Sequence, residues 1–184
     1  MTGDPRPSLL ARILGPAFDG LPEAIRNAHA VVDFQVLQGR VRVDGADTSM
    51  GRFVAWLIGF PQQTHDAPIT VEMRRDGDAE VWTRRIDGRR FVSRLGAWVP
   101  GTGRGTERFG PVTFVIAYAG GSGGLDLTVI GAHVGRLRLP EWLAPRTRAR
   151  ERVDACGRFT FDVSIELPGV GRLVRYRGWL IAGP

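Results

Sequence analysis

From Pro68 onward the apolar residues recur at every second position, and Asp-Gly pairs interrupt them at Asp76-Gly77 and Asp87-Gly88. That period sends successive side chains to opposite faces of a strand, and Asp-Gly between two such runs supplies a tight hairpin turn. Residues 69–74, 80–86 and 90–98 therefore read as a three-stranded antiparallel meander. Further runs at 112–118, 125–130, 136–139, 147–153, 158–167 and 173–181 extend it to eight or nine strands, with glycine-rich loops at 101–105 and 120–124. Consecutive strands joined by short turns predict a single antiparallel sheet. A twisted sheet that wide curls, so the expected architecture is a strongly curved sheet, a barrel or a half-barrel. No fixed repeat is present, which argues against a propeller or solenoid.

Two stretches ahead of the meander have helical spacing. Residues 21–32 carry Pro22 and Glu23 early and place Leu21, Ile25, Ala28 and Val32 on one face. Residues 49–60 begin at Ser49, a candidate N-cap, stop before Pro61 and are apolar around most of their circumference. Such a helix is buried, or seated against a membrane or a partner. A short helix is also expected near 9–14. The predicted plan is α+β, mainly antiparallel β: an N-terminal extension over 1–20, then one domain over 21–184 with two helices packed on the sheet. The first apolar stretch is broken by Arg12 and closed by Gly15-Pro16, so it lacks a signal-peptide core, and no window approaches a membrane span. With the single Cys156, which excludes a disulfide scaffold, this points to a cytoplasmic protein.

All 25 basic residues are Arg, and the formal net charge is +6. The absence of Lys removes Schiff-base, lysine-nucleophile and Walker-A chemistry. A polyanion partner needs clustered positive charge. Here acidic residues are interleaved, the doublets Arg74-Arg75, Arg84-Arg85 and Arg89-Arg90 split between two faces, and the segments 21–32 and 49–60 carry only Arg26 and Arg52. Nonspecific binding at low salt is expected, and no dedicated nucleic-acid role.

Other motifs fail on context. Gly101-Thr102-Gly103-Arg104-Gly105 follows Pro100 and precedes a turn, so no helix N-terminus would face a phosphate. His29, His65 and His133 are scattered, Cys156 has no near partner, and no Ser sits in a nucleophile elbow. No metal or cofactor is expected.

What stands out is charge sharing a strand face with aromatic rings. Trp82, Arg84 and Ile86 fall in one phase, and Arg175, Arg177 and Trp179 in another. Two readings are open. These are cation–π and Arg–carboxylate ladders on the outside of the sheet. Alternatively they line a cavity, with Arg84 and Arg177 holding an anionic group while Phe53, Trp56, Trp82, Phe91, Phe114, Phe161, Tyr176 and Trp179 hold an apolar body. His29 would act as an acid or base only in a cavity, beside a partner such as Glu107, Asp162 or Tyr176.

Several ordered phrases carry a resemblance. They are Leu21-Pro22-Glu23-Ala24 running to His29, Gly39-Arg40-Val41, Leu57-Ile58-Gly59-Phe60-Pro61 and Glu80-Val81-Trp82-Thr83-Arg84-Arg85. After them come Glu107-Arg108-Phe109-Gly110-Pro111, Leu139-Pro140-Glu141-Trp142-Leu143-Ala144-Pro145, Arg158-Phe159-Thr160-Phe161-Asp162-Val163 and Leu173-Val174-Arg175-Tyr176-Arg177-Gly178-Trp179-Leu180. Together they resemble a bacterial family known as domain of unknown function 4166, from about residue 20 to the C-terminus. The resemblance implies no activity. It does imply that members occur alone or behind a saccharopine-dehydrogenase-like domain, so an oxidoreductase partner would act in trans. The leading expectation is a non-enzymatic module holding an apolar or amphipathic small molecule or lipid in a curved-sheet cavity. The alternative is an enzyme, or an accessory domain for an oxidoreductase, and a weaker one is association with a membrane surface.

Overall fold

A computed structural model describes residues 6–58, 60, 62–140 and 142–183. The chain opens with α1 (Leu9–Leu14), a 3-10 turn (Gly15–Phe18), α2 (Glu23–Ala28), β1 (Phe34–Asp44) and α3 (Ser49–Ile58). The meander follows as β2 (Thr64–Asp76), β3 (Ala79–Ile86), β4 (Arg89–Val99), β5 (Arg104–Phe109), β6 (Val112–Gly121) and β7 (Gly124–Val134). The short β8 (Leu137–Arg138), β9 (Arg146–Val153), β10 (Phe159–Leu167) and β11 (Gly171–Ala182) complete it. Neighbouring strands run in the order β6-β5-β4-β3-β2-β1-β11-β10-β9-β7, and β6 pairs again with β7. Ten antiparallel strands thus close a barrel, and β8 adds to β7 outside the ring.

The expected curved sheet is therefore a closed barrel with eleven strands rather than eight or nine. β1 and β5 are the additions. β1 alternates correctly, with Leu37, Val41 and Val43 buried, but Gln35 and Gly39 interrupt its apolar phase. β5 is short and begins inside the stretch read as a glycine loop. Five of its six residues are polar or glycine, Arg104, Gly105, Thr106, Glu107 and Arg108, which hides the pattern.

The hairpins are set by local backbone chemistry. Ile86 pairs with Arg89, and both residues between them, Asp87 and Gly88, have positive φ, the signature of a type I′ turn. Asp76 pairs with Ala79, so the preceding turn centres on Gly77-Asp78, one residue later than the Asp-Gly signal, with positive φ at Gly77 alone.

The helices depart from expectation in detail. α2 ends at His29, whose φ of −109° leaves the helix, so Val31 rather than Val32 takes the next buried place. In α3 the cap is Thr48, whose hydroxyl accepts from Gly51 N–H at 2.9 Å, rather than Ser49. The expected stop of that helix at Pro61 lies outside the described residues. Met50, Phe53 and Trp56 form an exposed stripe on α3 instead of a buried face. No helix among the described residues is long and apolar enough to cross a membrane.

The barrel has two distinct ends. β2 ends, and β3 begins, where Leu9 N–H meets Glu80, so α1 lies across that end. The β1–β2 connection, with α3 in it, is at the opposite end. Leu9, Leu10, Ile13 and Leu14 of α1 are buried in the core with Leu21 and Ile25. On the outside, arginines pair with carboxylates: Arg152 with Asp126 (2.7 Å), Arg85 with Glu72 (3.2 Å) and Arg40 with Asp66 (2.6 Å). Exposed pairs of this kind each contribute about 0–1 kcal/mol, so they coat the barrel more than they hold it.

Candidate functional site

Alternation on β3 turns Glu80, Trp82 and Arg84 into the barrel. Glu80, only 3% exposed, accepts from Leu9 N–H (3.2 Å) and from Trp82 Nε1–H (2.8 Å). Arg84 lies between two rings, its guanidinium carbon 5.0 Å from the centre of Trp82 and 5.6 Å from that of Phe91. Its Nη1 donates to Ser93 Oγ (2.7 Å) and its Nη2 to Glu107 Oε1 (3.0 Å), while Ser93 Oγ donates to the same Glu107 oxygen (2.7 Å). Planar, charged and stackable, guanidinium fits this place as an ammonium would not.

A second buried pair faces the first. His29, at the end of α2, projects into the barrel with Nε2 at 2.8 Å from Glu151 Oε2 on β9. Its ring centre lies 5.5 Å from Trp82 and 6.1 Å from Phe159. Burial opposes a charged imidazole here, but the Glu151 charge, its hydrogen bond and the charge of Glu80 together raise the His29 pKa.

These groups border two adjoining interior chambers of about 110 Å³ and about 80 Å³. His29, Trp82, Arg84, Glu151, Val163 and Tyr176 line both. Phe114, Ile116, Leu127 and Val129 give the larger chamber apolar walls, and Leu9, Leu10 and Ile13 of α1 contribute to it. Tyr118 and Tyr176 also face it, and neither hydroxyl has a hydrogen-bond partner among the described residues. Burial raises the Tyr118 pKa, and Glu107, Glu151 and Glu80 push it further, against Arg84. Tyr176 is pushed up to about 12, by burial first, with Arg84 opposing and Glu107 adding. Among the described residues no group of three or more His, Cys, Asp or Glu could hold a metal ion.

Of the residues singled out in the sequence, the barrel gathers His29, Trp82, Arg84, Glu107, Phe114 and Tyr176 around the larger chamber, with Phe161 on the smaller. Phe91 joins them through its contact with Arg84. The others face away. Arg177 pairs with Asp44 (3.4 Å) on the outside, and Trp179 stacks under Arg158 there (4.5 Å). Asp162 accepts from Arg175 Nε at 2.8 Å on the outer face, and Phe53 and Trp56 are exposed on α3. The period of two explains the split: Tyr176 and Arg177 are adjacent, so a strand cannot turn both inward. Charge shares a face with aromatic rings on the inside at β3, where Arg84 is engaged by Glu107, and on the outside at β11, where Arg177 pairs with Asp44. Glu80, Ser93 and Tyr118 were not among the sequence candidates, and Glu151, set opposite the β9 arginines by alternation, proves to be the partner of His29. Their phase was readable, since Glu80 shares a face with Trp82 and Arg84, and Glu151 opposes Arg148, Arg150 and Arg152.

The model of a family described as a domain of unknown function, DUF4166, matches residues 21–180. The chain belongs to that family. A search of the curated proteins returned no match. The matched DUF4166 segment contains β1 to β10 whole, β11 as far as Leu180 and all of the interior polar groups, and it starts after α1, whose side chains help to wall the larger chamber.

Proposed function

We propose that this DUF4166 barrel binds a compact small molecule in its interior. The observation that carries the reading is a cavity with mostly apolar walls into which a few buried polar groups converge, the usual make-up of a ligand site. Size sets the class of ligand. Drug-sized sites enclose roughly 300–1,000 Å³, whereas a cavity of roughly 150 Å³ accepts benzene. Chambers of about 110 and 80 Å³ each fall short of that, so a ring-sized molecule would have to span both, and a long acyl chain would not fit.

The test is a screen of fragments of benzene's size by thermal shift and native mass spectrometry, repeated on Val163→Trp, which fills space shared by both chambers. The expected result is saturable binding to the natural chain that disappears in the filled, still folded variant. Absence of binding to the natural chain, or binding that survives Val163→Trp, would overturn the proposal.

A second reading is favoured by the 2.8 Å pair of His29 and Glu151 on the wall of the same cavity. A carboxylate-oriented imidazole with a raised pKa is suited to moving a proton to or from a bound substrate. This reading requires turnover that His29→Gln abolishes while fragment binding persists. Loss of binding alone would leave His29 a binding residue.

A further inference from the structure

The two ends of the barrel differ in what they expose. Among the described residues the five most exposed large apolar side chains are Leu137, Trp56, Trp142, Met50 and Phe53, at 57–71%, and all five belong to the α3 end. Met50, Phe53 and Trp56 recur every third residue along one face of α3, with the Phe53 and Trp56 rings 6.1 Å apart. Leu137 is in β8 and Trp142 in the β8–β9 connection, near the exposed Val134 and Leu143. The start of α3 is fixed at this end. Thr48 Oγ1 donates to the Val170 carbonyl (2.8 Å) and Asp47 N–H to that of Arg172 (3.3 Å), where β10 turns into β11.

Charge follows the same division. At the α1 end the arginines without an ion pair, Arg26, Arg74 and Arg104, are equalled by carboxylates without one, Asp19, Glu23 and Asp33. At the α3 end Asp87 lies beside Arg89 in the β3–β4 turn, and Glu166 faces Arg146 across the β9–β10 ladder. That leaves Arg52, Arg90, Arg136 and Arg138, all exposed, with no carboxylate paired to them among the described residues. In ring order they sit on the β1–β2 connection, on β4 and at the β7–β8 tip, so they are spread around the rim.

A rim of apolar side chains with arginines between them matches a plane better than it matches a partner that fills one groove. A nucleic acid would engage the arginines and leave Met50 and Leu137 in water. α3, with ten residues, is too short to span a bilayer. Trp and aliphatic side chains beside Arg are instead the composition of a surface that lies in the headgroup layer.

We propose that the α3 end of the barrel docks on an anionic lipid bilayer. Phe53, Trp56, Leu137 and Trp142 enter the headgroup layer, and Arg52, Arg90, Arg136 and Arg138 meet the anionic headgroups. The surface is outside the barrel and independent of the interior ligand.

The test uses vesicles of phosphatidylcholine, alone or with about 30% phosphatidylglycerol, in about 0.15 M salt, with polyuridylate titrated in parallel. The natural chain should partition onto the anionic vesicles at least about tenfold better than onto the neutral ones, and brominated acyl chains should quench its tryptophan fluorescence. Arg136→Gln with Arg138→Gln should weaken partitioning roughly tenfold or more, the scale of two basic residues near a charged surface. Arg74→Gln with Arg104→Gln removes the same charge from the α1 end and should change it less than about twofold. Trp56→Phe with Trp142→Phe should remove most of the quenching, and Trp98→Phe, at the α1 end, should not. All the altered side chains are exposed, so the fold is retained. Failure to bind anionic vesicles, or binding to polyuridylate alone, would overturn the proposal. So would equal partitioning onto neutral vesicles, or equal losses from the two arginine pairs. Binding without quenching, or quenching that survives Trp56→Phe with Trp142→Phe, would overturn it as well.

Discussion

His29 Nε2 and Glu151 Oε2, contributed by residues 122 positions apart, meet at 2.8 Å inside the barrel. The two side chains are 8% and 12% exposed, so the contact is screened little by water. It ties the end of α2 to β9 and holds a titratable group against the cavity wall. Charge, shape and stability are therefore coupled at one contact.

A pH dependence follows from it. Although burial works against the charged form, Glu151 and Glu80 raise the His29 pKa in the folded chain. A raised pKa means that the folded state binds the proton more tightly than the unfolded state. The stabilisation is therefore complete below the unfolded histidine value, near 6.5, and is lost as pH rises through the folded value. Urea denaturation across pH 5.5 to about 9 should show this decline in the natural chain and a flatter profile in Glu151→Gln. Equal slopes in both proteins would sink the assignment.

The Arg84–Glu107 pair, 12% and 16% exposed, gives a double-mutant cycle. Removing one member strands the other charge, so Arg84→Met and Glu107→Leu alone should each cost about 3–5 kcal/mol. The double variant should cost clearly less than the sum, because apolar replacement of a whole buried pair is often tolerated. Additive losses in chemical denaturation would show that the pair does not act as a unit.

Much of this was legible beforehand, for a physical reason. Strand alternation is local, so the phase of 80–86 alone puts Trp82 and Arg84 on one face, and the same rule assigned to 147–153 opposes Glu151 to three arginines. What alternation leaves open is which face is inside. On β11 the ring of Trp179 made the outer phase look like a lining, whereas the inner phase holds Val174, Tyr176, Gly178 and Leu180. Pairing across long separations, such as His29 with Glu151, depends on barrel closure, and no short-range signal encodes it. The missed β1 has its own cause, since its central Gly39 serves strand approach and not side-chain packing.

That glycine makes the next prediction. Gly39 and Gly178 lie on facing stretches of β1 and β11, where Arg40 pairs with Trp179. A methyl group at Gly39 would overlap the Trp179 carbonyl oxygen, and one at Gly178 the Arg40 carbonyl oxygen. Both obstacles are backbone and cannot swing aside. Gly39→Ala and Gly178→Ala should each destabilise by about 3 kcal/mol, the upper part of the range for overpacking. Gly77→Ala faces open space and serves as the contrast, its cost arising only from a positive φ. Gly39→Ala and Gly178→Ala proteins as stable as the natural chain would refute the close approach.

The final prediction concerns α1, which precedes the segment matched by the family. Ile13 is 1% exposed and lines the larger chamber, so Ile13→Ala both removes buried apolar surface and enlarges the cavity. The carbonyls of Arg12 and Ile13 each accept at 2.8 Å, from the N–H groups of Gly101 and Gly103, strapping the helix to the β4–β5 turn. Leu9 N–H adds one of the two hydrogen bonds that Glu80 receives. A short helix of six residues has little stability of its own, so its place depends on these contacts. Ile13→Ala should cost about 2–5 kcal/mol, the range for large-to-small changes in a core. It should also speed amide exchange at Gly101 and Gly103 relative to strand amides such as Val71. A loss below about 0.5 kcal/mol, the size of an ordinary surface change, would mean that α1 rests on the barrel without closing it.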